Sequence, residues 1–273
     1  MLLIDGSTAS SLIKRNEIDA VSLTGSVFAG QKVAEVCGEN IKKFVLELGG
    51  SDPFIVLADT DIEKAVKIGV ASRFLDAGQS CIAAKRFIIE ESIAEEFTSK
   101  FIEHSSNLKV GDPMDPDTDI GPLVREEQVE LLEEQVKDAL SKGARVLLEG
   151  GRLERNGFFY SPVVLSDVTR EMKVLKEETF GPVAPVIPVK DESSAIKVAN
   201  DSELGLGASI WSEDRDRALR LAKEIEAGGV VVNSLVKSDP RLPFGGIKKS
   251  GIGRELSKFG LYEFMNIKSI AVY

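Results

Sequence analysis

Two cysteines, one histidine and one tryptophan are all that 273 residues hold of these types, and each scarcity removes a class of chemistry. Cys37 and Cys81 stand in unrelated contexts, so neither a disulfide framework nor a multi-cysteine metal site is expected, and no metal ligand set is assigned. A reducing, cytoplasmic setting is the corresponding expectation. His104, among Ser and Asn near a helix end, reads as a solvated surface residue and leaves a histidine-dependent triad without its base. Basic residues are also short, 34 Lys and Arg against 44 Asp and Glu, for a formal charge of −10. Nucleic-acid binding runs on neutralising phosphates with cations, so that partner is excluded. A small anionic substrate is not, since one local Arg or Ser can read a carboxylate. The opening MLLIDGSTASS has no basic n-region and no long apolar run, so neither a signal peptide nor a membrane span is expected. Repeats, low-complexity tracts, a P-loop and a GxGxxG fingerprint are all missing.

What is present is a 43% hydrophobic chain long enough for one large domain or two ordinary ones. Short β-type apolar runs alternate with segments of helical period, which predicts an α/β fold with a mostly parallel sheet flanked by helices. Strands are expected at Val21 to Leu23, Phe44 to Leu48, Phe54 to Leu57, Arg86 to Ile89, Arg145 to Leu148, Val183 to Val189, Gly207 to Trp211 and Gly229 to Asn233. Thr60 with Glu63 has the spacing of a capping box ahead of a helix carrying Ile62, Ala65, Val66, Gly69 and Val70 on one face. Further helices are expected at Ser92 to Ser106, Ser194 to Asn200 and Asp214 to Glu226, and one after GDPMDPDTDIGP that buries Val129, Leu132, Val136, Ala139 and Leu140.

Few residues have the look of chemistry. Cys81 follows Gly78-Gln79-Ser80 and precedes Lys85-Arg86. A small-residue loop gives a thiol the access a nucleophile needs, and a buried small hydrophobe is an equal reading of the same pattern. Cys37, at helical spacing from Val33, reads as buried. Glu47 interrupts the apolar run FVLEL just before Gly49-Gly50. A carboxylate there either pairs with a cation or acquires the raised pKa of a general base. Glu178-Thr179-Phe180-Gly181-Pro182 and Pro243-Phe244-Gly245-Gly246 are turn signals by themselves.

Taken in order, LTGS at Leu23 to Ser26, ELGG at Glu47 to Gly50, GQSC at Gly78 to Cys81, EETFGPV at Glu177 to Val183 and PFGGIKKSGIGRE at Pro243 to Glu255 resemble the signature series of the aldehyde dehydrogenase superfamily. The strings ELGGSDPF, CIAAKRFIIEE and GRELSKFGLYEFMNIK look most like its succinate-semialdehyde branch. The resemblance implies Cys81 as nucleophile toward the aldehyde and Glu47 as the base for deacylation. It implies NAD or NADP as cofactor, with Gly25 and Ser26 near its phosphates, Glu178 on the nicotinamide ribose and Phe180 beside the nicotinamide. Some relatives carry a carboxylate-binding Arg six residues before the nucleophile, where this chain has Leu75. Ser238 matches a carboxylate-contacting Ser, and Arg241 is the cation expected to assist it.

The same resemblance implies a chain that starts inside the cofactor domain. Residues 1–49 are then a remnant of that domain, 50–252 the catalytic domain and 253–273 a C-terminal segment with an oligomerisation strand. Expected partners are a small aldehyde and a second copy, or a chain supplying the rest of the cofactor domain. The competing expectation is a non-dehydrogenase scaffold or oligomerising pseudoenzyme with residual thiol esterase activity.

Overall fold

The computed structural model describes residues 1–273, which divide into two compact units, Gly50–Lys237 and a second made of Met1–Gly49 with Ser238–Tyr273. Residues 238–252, given to the catalytic domain by the sequence reading, thus share their contacts with the first 49. No helix is long and apolar enough to cross a membrane.

The larger unit is built on a seven-stranded sheet in the order Gly229–Val232, Gly207–Trp211, Asp52–Val56, Ala84–Glu90, Val183–Val189, Val163–Ser166, Arg145–Leu148. All neighbours are parallel except the last pair, which is antiparallel. A parallel sheet covered on both faces needs strands apolar on both sides, and Asp52–Val56 and Ala84–Glu90 are buried along their whole length. Side chains alternate across the sheet. Phe54, Val56, Phe87 and Ile89 join one core with residues of the helices Ile62–Phe74, Glu91–Ser106 and Glu126–Ser141. Ile55, Leu57 and Ile88 join another with the helices Glu192–Asn200 and Arg215–Ala222. The expected α/β class is therefore realised as helices, sheet, helices.

The smaller unit holds a three-stranded sheet in which Lys43–Glu47 lies between parallel Ala20–Thr24 and antiparallel Gly251–Ile252. Its helix Val27–Glu39 packs Cys37 at 0% exposure, as its helical spacing implies, and Gly30 lies where a Cβ would come within 2.5 Å of Leu48.

Several local expectations are corrected. Asp61, not Thr60, caps the helix Ile62–Phe74 by accepting from Lys64 N, and Thr60 Oγ1 instead donates to the Trp211 carbonyl at 2.8 Å. The helix expected to reach Glu226 ends at Ala222, and Leu140 is exposed. His104 is only 33% exposed, with Nε2 3.3 Å from Glu63. The strand Val163–Ser166 and the helix Gly6–Ile13 were not anticipated.

The larger core contains an aromatic cluster, with the Phe87 ring 4.6 Å from Phe101 and 5.3 Å from Phe54. Phe87→Ala should destabilise the chain by about 3–5 kcal/mol, read from the denaturant midpoint, whereas Val124→Ala on the exposed surface should leave it unchanged. A Phe87→Ala midpoint equal to wild type would show that this cluster is not a cooperative core.

Candidate active site

Cys81 lies in the loop between the helix Ile62–Phe74 and the strand Ala84–Glu90 and is half-buried, whereas Cys37 is fully buried. The segment leading to it is strained: Asp76 and Ala77 have φ of 51° and 56° without being glycine, a conformation costing about 1–3 kcal/mol per residue. The surroundings hold the segment there. Gly78, at φ 75°, fits where a Cβ would meet Arg73 at 2.4 Å and the Gly181 carbonyl at 2.6 Å. Gln79 accepts from Val124 N at 2.9 Å.

Two buried cations organise this loop. Arg73, in the last turn of its helix, is 0% exposed and donates to the carbonyls of Ala84 at 3.0 Å, Gly78 at 2.9 Å and Gly181 at 2.7 Å. It therefore ties the Cys81 loop to the Glu178–Gly181 turn. Lys85 donates to the carbonyls of Ser80 and Cys81, each at 2.9 Å, and lies 3.5 Å from Glu178 Oε1. Glu178 Oε1 also accepts from Gly50 N at 3.0 Å. Gly50 must be glycine, since a Cβ would fall 2.4 Å from the Cys81 carbonyl oxygen. Asp52 completes the cluster: buried, accepting from Gly207 N at 3.0 Å, and pushed up to about 6 by burial against the opposing pull of Lys85. Glu178 and Phe180 are both half-buried. Arg73, Lys85 and Asp52 were not anticipated as site residues.

In the other unit, Glu47 ends the strand Lys43–Glu47 at 4% exposure, and neither carboxylate oxygen has a hydrogen-bond partner. Burial, and then the nearby Glu255, push its pKa to about 7, with Arg254 acting the other way. No cation pairs with it directly, so the raised-pKa alternative is the one the surroundings favour. Gly245, at φ 152°, leaves room for it, as a Cβ there would come within 2.7 Å of Glu47 Oε1. Gly25 and Ser26 are exposed at the start of the helix Val27–Glu39, where Ser26 accepts from Ala29 N at 3.2 Å. Ser238 and Arg241 are exposed as well. The Arg241 guanidinium is already engaged by Asp239, through Nε at 2.9 Å and Nη2 at 2.6 Å.

The larger unit is thus an α/β domain with a doubly covered parallel sheet and a half-buried thiol in a braced loop, and the smaller unit carries a carboxylate of raised pKa at a strand end. The sequence pattern of the aldehyde dehydrogenase family matches residues 2–270, and the chain belongs to that family. It is 50% identical over 266 residues to a succinate semialdehyde dehydrogenase [NAD(P)+] of Escherichia coli K12, covering 97% of this chain and 58% of that protein. It is 45% identical over 269 residues to a succinate-semialdehyde dehydrogenase [NADP(+)] of Mycobacterium bovis BCG, covering 98% and 59%. The solved structure of Gox0499 superposes with a TM-score of 0.96 at 43% identity, covering all of this chain and 60% of that one. The chain thus spans somewhat under two thirds of the length of these relatives.

The raised pKa of Glu47 is directly measurable. In difference infrared titration, with Glu47→Gln to assign the band, its proton should leave near pH 7, and loss near the ordinary 4.5 would contradict the buried, unpaired carboxylate. Because the folded value lies above the unfolded one, Glu47 favours the folded state at low pH, and that contribution disappears as pH rises through about 7.

Proposed function

We propose that the chain is the cysteine-bearing part of an NAD(P)-dependent dehydrogenase that oxidises a short semialdehyde, succinate semialdehyde, to its carboxylate. The observation that carries this reading is the half-buried Cys81 in a loop braced by buried cations, within a family-wide match whose relatives include succinate-semialdehyde enzymes. The Cys81 thiolate adds to the aldehyde carbon, giving a thiohemiacetal whose oxygen takes a hydrogen bond from the Cys81 backbone N–H. A nicotinamide cofactor, when bound, supplies the acceptor for the hydride that leaves this carbon. Cys81 is then left as a thioester. Glu47 removes a proton from water, the hydroxide adds to the thioester carbon, and collapse releases the carboxylic acid and the thiolate. A carboxyl of pKa about 7 suits that task, being about half ionised at neutral pH and basic enough to accept the proton.

The cofactor's place fits the residues only in part. Glu178 is 24% exposed and its Oε1 is already fixed by Gly50 and Lys85, so a ribose hydroxyl would meet a preorganised carboxylate. Gly25 and Ser26 present a helix start favourable to a phosphate, and Phe180 would lie beside the nicotinamide. Assembly with a second copy, or with a chain carrying the rest of the cofactor domain, belongs to this proposal.

An activated ester tests acyl transfer without the cofactor. After brief reaction with nitrophenyl acetate, mass spectrometry should place the acetyl group on Cys81, with label lost in Cys81→Ser and retained in Cys37→Ser. Label mainly on Cys37, or on neither cysteine, would favour a scaffold over a catalyst. For the substrate carboxylate, Arg241→Ala should raise KM for succinate semialdehyde about tenfold or more, with little effect on a neutral aldehyde of similar length. Asp239→Asn, which releases the guanidinium, should lower it. Equal effects on both aldehydes would remove Ser238 and Arg241 from the substrate site.

A further inference from the structure

Lys85 is the second residue of the strand Ala84–Glu90, and its side chain is 1% exposed. A lysine ammonium has three donors and a large cost of leaving water, so a buried one persists only where oxygen atoms replace the solvent. Here most of those oxygens belong to one short loop: the carbonyls of Ser80 and Cys81 at 2.9 Å and of Ala83 at 3.4 Å, with Glu178 Oε1 at 3.5 Å. The side chain folds back over the residues just before it and closes the Cys81 loop into a cradle. Glu178, whose Oε1 also accepts from Gly50 N, extends the same network. The acyl-transfer chemistry proposed above gives this ammonium no task.

We propose that Lys85 is a positioning residue for Cys81: through the Ser80 and Cys81 carbonyls it fixes the loop, and its charge favours the thiolate over the thiol. The proposal rests on the reading of Cys81 as nucleophile. The charged groups acting on Lys85 are Glu178, Asp52, Arg73 and Cys81 itself, and Arg86 acts on Asp52. Burial pulls the Lys85 pKa down, while Glu178, Asp52 and ionised Cys81 pull it up. By the same reciprocity, the ammonium stabilises an ionised Cys81, and Glu178, an anion sharing the same cation, opposes it.

The test is the pH profile of Cys81 alkylation by iodoacetamide, followed by peptide mass spectrometry on the full chain. Lys85→Met should move the midpoint up by about one pH unit, the scale of shift produced by a close opposite charge. Lys85→Arg, which keeps the charge, should stay near wild type. Glu178→Gln, which removes the competing anion, should move the midpoint down. A folded Lys85→Met whose profile coincides with wild type overturns the proposal, as does a Lys85→Arg shift as large as that of Lys85→Met. Should Lys85→Met fail to fold, Glu178→Gln decides: a lower midpoint supports the proposal, and an unmoved or higher one overturns it. Alkylation needs no turnover, so failure of an ester to acylate Cys81 while these shifts are present would count against the nucleophile reading alone.

Discussion

Two cations that never reach solvent, Arg73 and Lys85, set the shape of the loop that presents Cys81. Each is buried by the fold of the larger unit, and each must then find oxygen atoms, because an unpaired charge in a protein interior is worth several kcal/mol of destabilisation. The nearest oxygens are backbone carbonyls. Arg73 takes those of Gly78, Ala84 and Gly181, and Lys85 those of Ser80 and Cys81. A loop whose carbonyls are aimed inward at cations has little freedom left. That bracing makes the positive φ values of Asp76 and Ala77 tolerable, and it makes glycine obligatory at Gly50 and Gly78.

Glu47 presents the opposite situation. Its carboxylate is buried at a strand end with no donor meeting either oxygen, and a second carboxylate, Glu255, adds to the cost of ionising it. A fold optimised for stability alone would pair such a group or replace it. Retained unpaired, it has a pKa near neutrality, where a proton can be taken up and released within the working pH range. The thiol loop is thus held by cations that donate to its carbonyls, and Glu47 is tuned by the absence of any donor to its carboxylate.

The sheet was legible because parallel strands buried on both faces must be continuous apolar runs, and Phe54 to Leu57, Arg86 to Ile89 and Val183 to Val189 are such runs. Cys37 was legible from its helical spacing. Val163–Ser166 escaped because its run is short and lies between a proline and a charged segment. A capping box is a local pattern, and it points one residue too early here: Asp61 is the cap, while the Thr60 hydroxyl donates to the Trp211 carbonyl of a strand far along the chain. Arg73 and Lys85 were missed for the reason that cations at helix ends and strand starts are ordinarily solvated. A signal was present, since Lys85-Arg86 opens an otherwise apolar strand, where a charge needs a partner. Arg241 was read as the cation assisting Ser238, and its bond to Asp239, two residues earlier, could not be read from spacing.

In the proposed reaction Cys81 carries the acyl group and Glu47 controls its release. A Glu47→Gln chain incubated with succinate semialdehyde and NAD(P)+, then quenched in acid, reports on both. Acylation survives the substitution while hydrolysis slows, so even a weakly active polypeptide accumulates its intermediate. Peptide mass spectrometry should find a succinyl thioester on Cys81 in Glu47→Gln and much less in wild type. A succinyl group on any other residue, or none on Cys81 over a time in which NAD(P)H is formed, would contradict the account.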